Sequence, residues 1–220
     1  MQRTLETVIL VAVLIFSVVV HEVAHAWQAR REGDDTADRL GRITLNPIPH
    51  LDLLGSVILP ALLAYSGGII FGWAKPVPVN PSNYRSYVAG DIRVSLAGIV
   101  SNLGLAALAT VLAGLVLKLT SLVGTLGGAA DVVFTTLSYA IFINLILAFF
   151  NLIPIPPLDG SHVVAHALPQ PLADQYRQLG RFGLLIVMGL ILFLPGAIDF
   201  MLSPVYFLQG IADRFIRLWM

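Results

Sequence analysis

The sequence predicts an all-α integral membrane protein, a bundle of about four to six transmembrane helices with a re-entrant or β-hairpin element near its polar site. Three observations predict it. First, 57% of the 220 residues are hydrophobic and 12% are charged, about half the charge of an average soluble domain. The mean hydropathy is +0.83. Second, several uncharged runs are long enough to span a bilayer, which takes about 20 residues. Third, the ionisable residues gather at the ends of these runs, next to prolines and glycines. The 13 basic and 13 acidic residues cancel, so no nucleic-acid footprint is expected. The chain has no cysteine; disulfides, thiolate ligands and cysteine nucleophiles are excluded, and any metal must be held by His, Asp or Glu. A single membrane-embedded domain is expected over 1–220, with a core at about 5–168 and an additional helix and amphipathic tail at 181–220.

The first helix is predicted over about 4–29, because no charge lies between Glu6 and Glu22. No small-residue cleavage site precedes its polar end, so it does not read as a signal peptide. Residues 28–42 mix Arg30, Arg31, Arg39 and Arg42 with Glu32, Asp34, Asp35 and Asp38, a solvated loop. Ile43, Thr44 and Leu45 favour a short strand or hairpin that Asn46-Pro47 stops. The run 53–71 is apolar but interrupted by Pro60 and Gly67-Gly68, and is marginal as a span. From Phe71-Gly72-Trp73 to Pro81, prolines 76, 78 and 81 enforce an extended segment. A second helix is predicted over about 91–119, with small residues Ala97, Gly98, Ser101, Gly104, Ala106 and Ala107 suited to close helix packing. A glycine-rich turn at 121–131 leads to a third helix at about 132–150. After a polar stretch, 169–181, a fourth apolar helix covers about 182–200, where Pro195-Gly196 kinks it or ends it early. The tail from Pro204 is amphipathic and either lies in the interface or crosses again. Trp73 and Trp219 read as interface anchors.

The chain is organised around His21-Glu22-Val23-Ala24-His25, which ends the first apolar run. On a helix, positions i and i+4 share a face, so both imidazoles can reach one ion with Glu22 beside them as a base. Two histidines and a carboxylate at the end of a membrane helix are costly unless a cation compensates them. A catalytic zinc keeps three protein ligands and one open position. The candidates for the third are His50, Asp52, Asp91, Asp131, Asp159, His162, His166 and Asp199. Asp159 is preferred: it follows an apolar helix through a proline-rich break, and Gly160 is expected to let the backbone turn. His162 and His166 share the i, i+4 spacing but lack a glutamate at the second position. His50 with Asp52 reads as a loop pair before it reads as a ligand set. Asn102 and Asn151 either hydrogen-bond the substrate or oxyanion, or bind helices together.

With H-E-x-x-H at a membrane helix end and a distant Asn151-Leu152-Ile153-Pro154-Ile155-Pro156-Pro157-Leu158-Asp159-Gly160, the chain resembles the site-2 protease family of intramembrane zinc metalloproteases. The stretches 41–47, 71–80 and Leu96-Ala97-Gly98-Ile99-Val100-Ser101-Asn102 are similar to a compact prokaryotic branch without PDZ or CBS domains, where proline is common in place of Ile99. The resemblance covers about 8–166. It implies one Zn2+ per chain, held by His21, His25 and Asp159, with Glu22 as general base. It also implies a single-span membrane protein as substrate, such as an anti-sigma factor or a signal-peptide remnant. It supports Asn102 as a substrate or oxyanion contact.

Placing the three ligands at one depth constrains the crossings. The first and third helices then end on one face, so 53–71 turns back rather than crossing. Basic residues 30, 31, 39, 42, 75, 85 and 93 lie on that face and Arg3 and Lys118 on the other, which puts the site toward the cytoplasm in the cell membrane. An unwound substrate would pair as an added strand with 43–45 or 71–80. Two other classes compete. A metal transporter would need ionisable residues at several depths, and a non-catalytic scaffold would not need Glu22.

Overall fold

The computed structural model describes residues 2–58, 62, 65, 74–123 and 128–219. Among them the helices are α1 (Gln2–Glu32), α2 (Thr36–Arg39), α3 (Tyr87–Val123), α4 (Gly128–Leu152), α5 (Gly160–Ala167), α6 (Gln170–Gln178), α7 (Gly183–Phe193) and α8 (Ala197–Arg217). Short 3-10 turns occupy Ile48–His50, Pro81–Asn83 and Leu179–Arg181, and a π turn occupies Leu53–Ile58. Three helices, α1, α3 and α4, are long and apolar enough to cross a membrane. The protein is therefore an all-α membrane protein. The re-entrant element expected at 53–71, with Pro60, Gly67 and Gly68, lies mostly outside the described residues, as does Trp73.

No strand forms among the described residues. Residues 43–45, where one was expected, make bends. Local side-chain bonds take the place of a ladder. The Asn46 N–H donates to the Thr44 hydroxyl at 3.2 Å, the Ile48 N–H to Asn46 Oδ1 at 3.1 Å, and His50 Nε2 to the Thr44 carbonyl at 3.0 Å. These bonds curl the backbone into a tight loop.

The chain forms two compact units. One comprises Met1–Ser17 and Ile99–Met220. Its core joins Ala106, Ala109 and Ala113 of α3 to Ile141 and Leu145 of α4 and to Val205, Ala212 and Ile216 of α8. Alanines on one stripe of α3 let neighbouring backbones come close. The amphipathic tail expected from Pro204 continues a helix that begins before it: α8 runs through Pro204. Proline cannot donate to the carbonyl four residues back, and the Ser203 hydroxyl bonds that Phe200 carbonyl instead, at 2.8 Å. The apolar run before it does end early, as α7 stops at Phe193 and Gly196 takes a left-handed φ of 79°. Trp219 packs on Gly114, where a Cβ would lie 2.8 Å from its ring.

The other unit, Val18–Gly98, holds the second half of α1, α2, the loops and the first turns of α3. Ala26, Ala37 and Val77 form one small core, and Ala29, Tyr84 and Val94 another. Polar staples do the rest. Glu32 receives Arg93 through two bonds of 2.8 Å. Fully buried Asp34 accepts from the Thr36 N–H and hydroxyl, the Asn80 N–H and the Asn83 amide. Burial pushes the Asp34 carboxyl up, but these hydrogen bonds outweigh it and hold it below the ordinary carboxylate value.

Because the folded state depresses this pKa, the staple is present at neutral pH and is lost as pH falls through the lowered value. Asp34→Ala is expected to speed hydrogen exchange at the Asn80 amide by roughly 5- to 150-fold, the loss of about 1–3 kcal/mol. Acidifying the wild type should produce the same loss of protection at Asn80, followed by the same exchange measurement.

Candidate metal centre

α1 runs unbroken through residues 21–25, so His21 and His25 project from consecutive turns. Their rings meet edge to face, centroids 4.6 Å apart at 82°, with the two Nε2 atoms 3.0 Å apart. On its other side, His25 Nδ1 lies 2.7 Å from the Val94 carbonyl. A carbonyl only accepts, so Nδ1 carries the hydrogen and a neutral His25 keeps its lone pair on Nε2. Two such lone pairs at this distance repel unless a cation or proton lies against both. Imidazole nitrogens turned to one point, with an outer hydrogen bond fixing the tautomer, suit a zinc ion.

Gly98 makes room for this pair. A Cβ there would lie 2.5 Å from His21 Cε1 and His25 Nε2, and 2.6 Å from His21 Nε2. The glycine expected to serve helix packing is therefore the floor under the imidazoles.

Glu22 lies beside the pair, and its Oε2 accepts the Val77 N–H at 2.7 Å. Val77 belongs to the extended stretch 74–80, which wraps this end of α1. Four further bonds hold that strap. The Lys75 N–H donates to the His50 carbonyl at 2.9 Å. Arg42 Nη2 reaches the Lys75 carbonyl at 2.9 Å and the Pro76 carbonyl at 3.3 Å. The Asn80 N–H reaches Asp34 at 2.6 Å. Since Pro76 and Pro78 have no N–H, Val77 carries the donor between them, and it is committed to the carboxylate. This restricts the expected use of the segment as a pairing edge.

Asp159 sits in the other unit, after α4 ends at Leu152. The break folds back through bonds from the Ile155 N–H to the Ile153 carbonyl, 2.8 Å, and from the Leu158 N–H to the Ile155 carbonyl, 2.9 Å. Asp159 immediately precedes α5, where aspartate commonly caps, yet its carboxylate makes no capping bond. Gly160 is needed for a different reason from the one expected. Its φ is not positive; instead its α-carbon presses on the Leu152 carbonyl, where any Cβ would collide.

The remaining candidates lie in these settings. Asn102 is fully buried and donates to Asn144 Oδ1 at 2.7 Å and to the Ser17 carbonyl at 3.4 Å. Asn144 in turn donates to the Ser17 hydroxyl at 2.9 Å. Asn151 donates to the Leu147 carbonyl of its own helix at 2.9 Å. His50 is 1% exposed and closes the 44–50 loop. Asp52 accepts the Gly55 N–H at 2.6 Å, capping the π turn. Asp131 and Asp199 lie in first turns of α4 and α8, where the helix dipole favours a carboxylate. His162 and His166 lie half-buried on α5.

Sequence reasoning missed Val77, Val94, Arg42 and Ser17. One signal was available: Pro76-Val77-Pro78 leaves one donor in three residues. The others act through backbone carbonyls or buried polar atoms that carry no motif.

Gly98→Ala is expected to remove at least nine-tenths of the metal from purified protein, measured by elemental analysis. Gly104→Ala, on the same helix with nothing within 4 Å of a new Cβ, should retain it.

Comparison with known proteins places the chain in a family. A family model described as Peptidase family M50 matches residues 9–193. The chain is 38% identical over 215 residues to "Putative zinc metalloprotease YwhC" of Bacillus subtilis, covering 96% of this chain and 90% of that protein. It is 31% identical over 186 residues to "Putative zinc metalloprotease Rip2" of Mycolicibacterium smegmatis, covering 84% and 67%. No solved structure matches significantly. The chain belongs to peptidase family M50, the site-2 protease family of metalloproteases.

Proposed function

We propose that this chain is an intramembrane zinc endopeptidase that hydrolyses peptide bonds within or near the transmembrane segment of a single-span membrane protein. The observation that carries the reading is the facing pair of Nε2 atoms with Glu22 anchored beside them. Asp159 supplies the third ligand to one ion per chain. Two supports bear on this choice. The family motif includes it, and its carboxylate is not spent as a helix cap.

A bound zinc ion would polarise the scissile carbonyl and bring the pKa of a water toward about 7. The chain's own residues do the rest. The Val77 N–H holds Glu22 Oε2, which leaves Oε1 as the oxygen to take the proton. Glu22 takes a proton as the water oxygen bonds to the carbonyl carbon. It returns that proton to the amine nitrogen as the C–N bond breaks. His25 keeps its Nδ1 proton on the Val94 carbonyl throughout. The substrate must unwind locally, because a helical carbonyl is already hydrogen-bonded. Of the two amides considered for substrate contact, half-buried Asn151 at the end of α4 is better placed. Asn102, enclosed with Asn144 and Ser17, serves helix association.

The site faces the cytoplasm in this reading. Lys and Arg at 30, 31, 39, 42, 75, 85 and 93 flank it, in accord with the positive-inside rule. A transporter is disfavoured, since the buried polar cluster in the helix interiors, Ser17, Asn102 and Asn144, carries no charge.

Glu22→Gln should lower cleavage of a reconstituted single-span peptide by roughly 10²- to 10⁴-fold while zinc content stays at one per chain. Cleavage that survives this change, with zinc still bound, would sink the mechanism. The cysteine-free chain also permits a topology test. Single cysteines at Ser82 and Ser121 should label from opposite faces of sealed vesicles; labelling of both from one face contradicts the orientation.

A further inference from the structure

Zinc bonds tolerate about 0.2 Å of error, and loops are looser supports than helices or strands. The carboxylate assigned as third ligand nevertheless follows a loop, residues 153–158, that contains three prolines. Prolines 154, 156 and 157 offer no N–H to tie it down. Its support comes from the stretch that reads in sequence as a polar connection, 169–181, and from the glycine that follows. Tyr176 of α6 donates its hydroxyl to the Pro154 carbonyl at 2.8 Å. Gly180 lies against Pro156, 3.5 Å from a Cβ position to the ring. Gly183, the first residue of α7, admits the Pro156 carbonyl oxygen into the space a Cβ would fill, and Pro157 Cδ lies 2.5 Å from that position. Below these contacts α6 packs on α5, with Ala173 2% exposed. α5 begins at Gly160, directly after Asp159. The loop is therefore held at the Pro154 and Pro156 carbonyls and at its exit.

We infer that α6 and the start of α7 form a brace for the metal ligand: Tyr176, through the Pro154 carbonyl, and Gly183, through the Pro156 carbonyl, are positioning residues that set Asp159 against the ion. The inference rests on the reading of Asp159 as a zinc ligand. Burial raises the Tyr176 phenol above its ordinary value, so the hydroxyl stays a donor over the working pH range. Neither residue contacts the reacting atoms. Their effect is transmitted through the backbone of the loop, as outer hydrogen-bond partners tune metal sites elsewhere.

The test is a double-mutant cycle on the full-length protein, loaded with zinc in nanodiscs, in which zinc release to a chelator is timed. Tyr176→Phe removes one hydroxyl and should speed release roughly 10-fold with the melting temperature of the apo protein unchanged. Asp159→Ala should speed release further. Tyr176→Phe added to Asp159→Ala should then change nothing more, because the brace has no ligand left to place. Gly183→Ala, which acts through a different contact, should show the same dependence on Asp159. If either substitution speeds release equally with and without Asp159, its role is general stability and the brace is overturned. If both leave release unchanged while Asp159→Ala speeds it, the brace is overturned and the ligand assignment stands. If Asp159→Ala itself releases zinc at the wild-type rate, the ligand assignment fails and takes the brace with it.

Discussion

The centre depends on α1 and α3 coming close enough for His25 Nδ1 to reach the Val94 carbonyl, a contact of 2.7 Å. An imidazole has two nitrogens, and committing one to a carbonyl presents the other to a cation. That commitment also fixes the ring plane, and with it the approach of His21 at 3.0 Å. The contact exists because Gly98 has no side chain one turn further along α3. It is kept in register by the Glu32–Arg93 pair at the same end of the two helices, with both bonds at 2.8 Å. Arg93 is half exposed, so this pair contributes alignment more than stability. Hydrogen bond, missing methyl group and ion pair thus act on a single interface between helices.

Deeper in the apolar region a second constraint operates. A polar side chain enclosed by helices must find a partner inside the protein, since hydrocarbon offers none. Ser17, Asn102 and Asn144 satisfy one another in a cluster that is at most 1% exposed. Such interhelical bonds average about 0.6 kcal/mol in a membrane protein. Their value lies in specificity: three side chains from α1, α3 and α4 match in one rotation of each helix. Ser17 stands one turn before His21 on α1.

Proline is used here to choose which backbone donors remain. In the strap at 74–80, Pro76 and Pro78 leave the Val77 N–H to face Glu22. At 153–158, prolines remove the donors and leave carbonyls, which residues on α6 and α7 then secure. In α8 the bond lost at Pro204 is replaced by the Ser203 hydroxyl, and the helix continues. Of the three, the strap is the one that touches Glu22, whose Oε2 accepts the Val77 N–H.

Much of this was legible in the chain itself. Uncharged runs determined the three long helices, since hydrocarbon demands length and apolarity in a single segment. H-E-x-x-H spacing determined which two histidines share a face, because the α-helix places i and i+4 together wherever it forms. Asp159 stood out through a motif. The tertiary structure decided what spacing cannot encode. It turned the expected strand at 43–45 into a loop, because local side-chain bonds were nearer than any partner strand. It made Gly160 a close-packing residue rather than a flexible turn. It gave Gly98, Val77 and Val94 their parts around the two histidines and Glu22, each acting through an absent atom or a backbone group. Those contributions depend on which segments meet across sequence separations of 55 to 77 residues. Local pattern does not carry such information, because the contact arises only after the helices have packed.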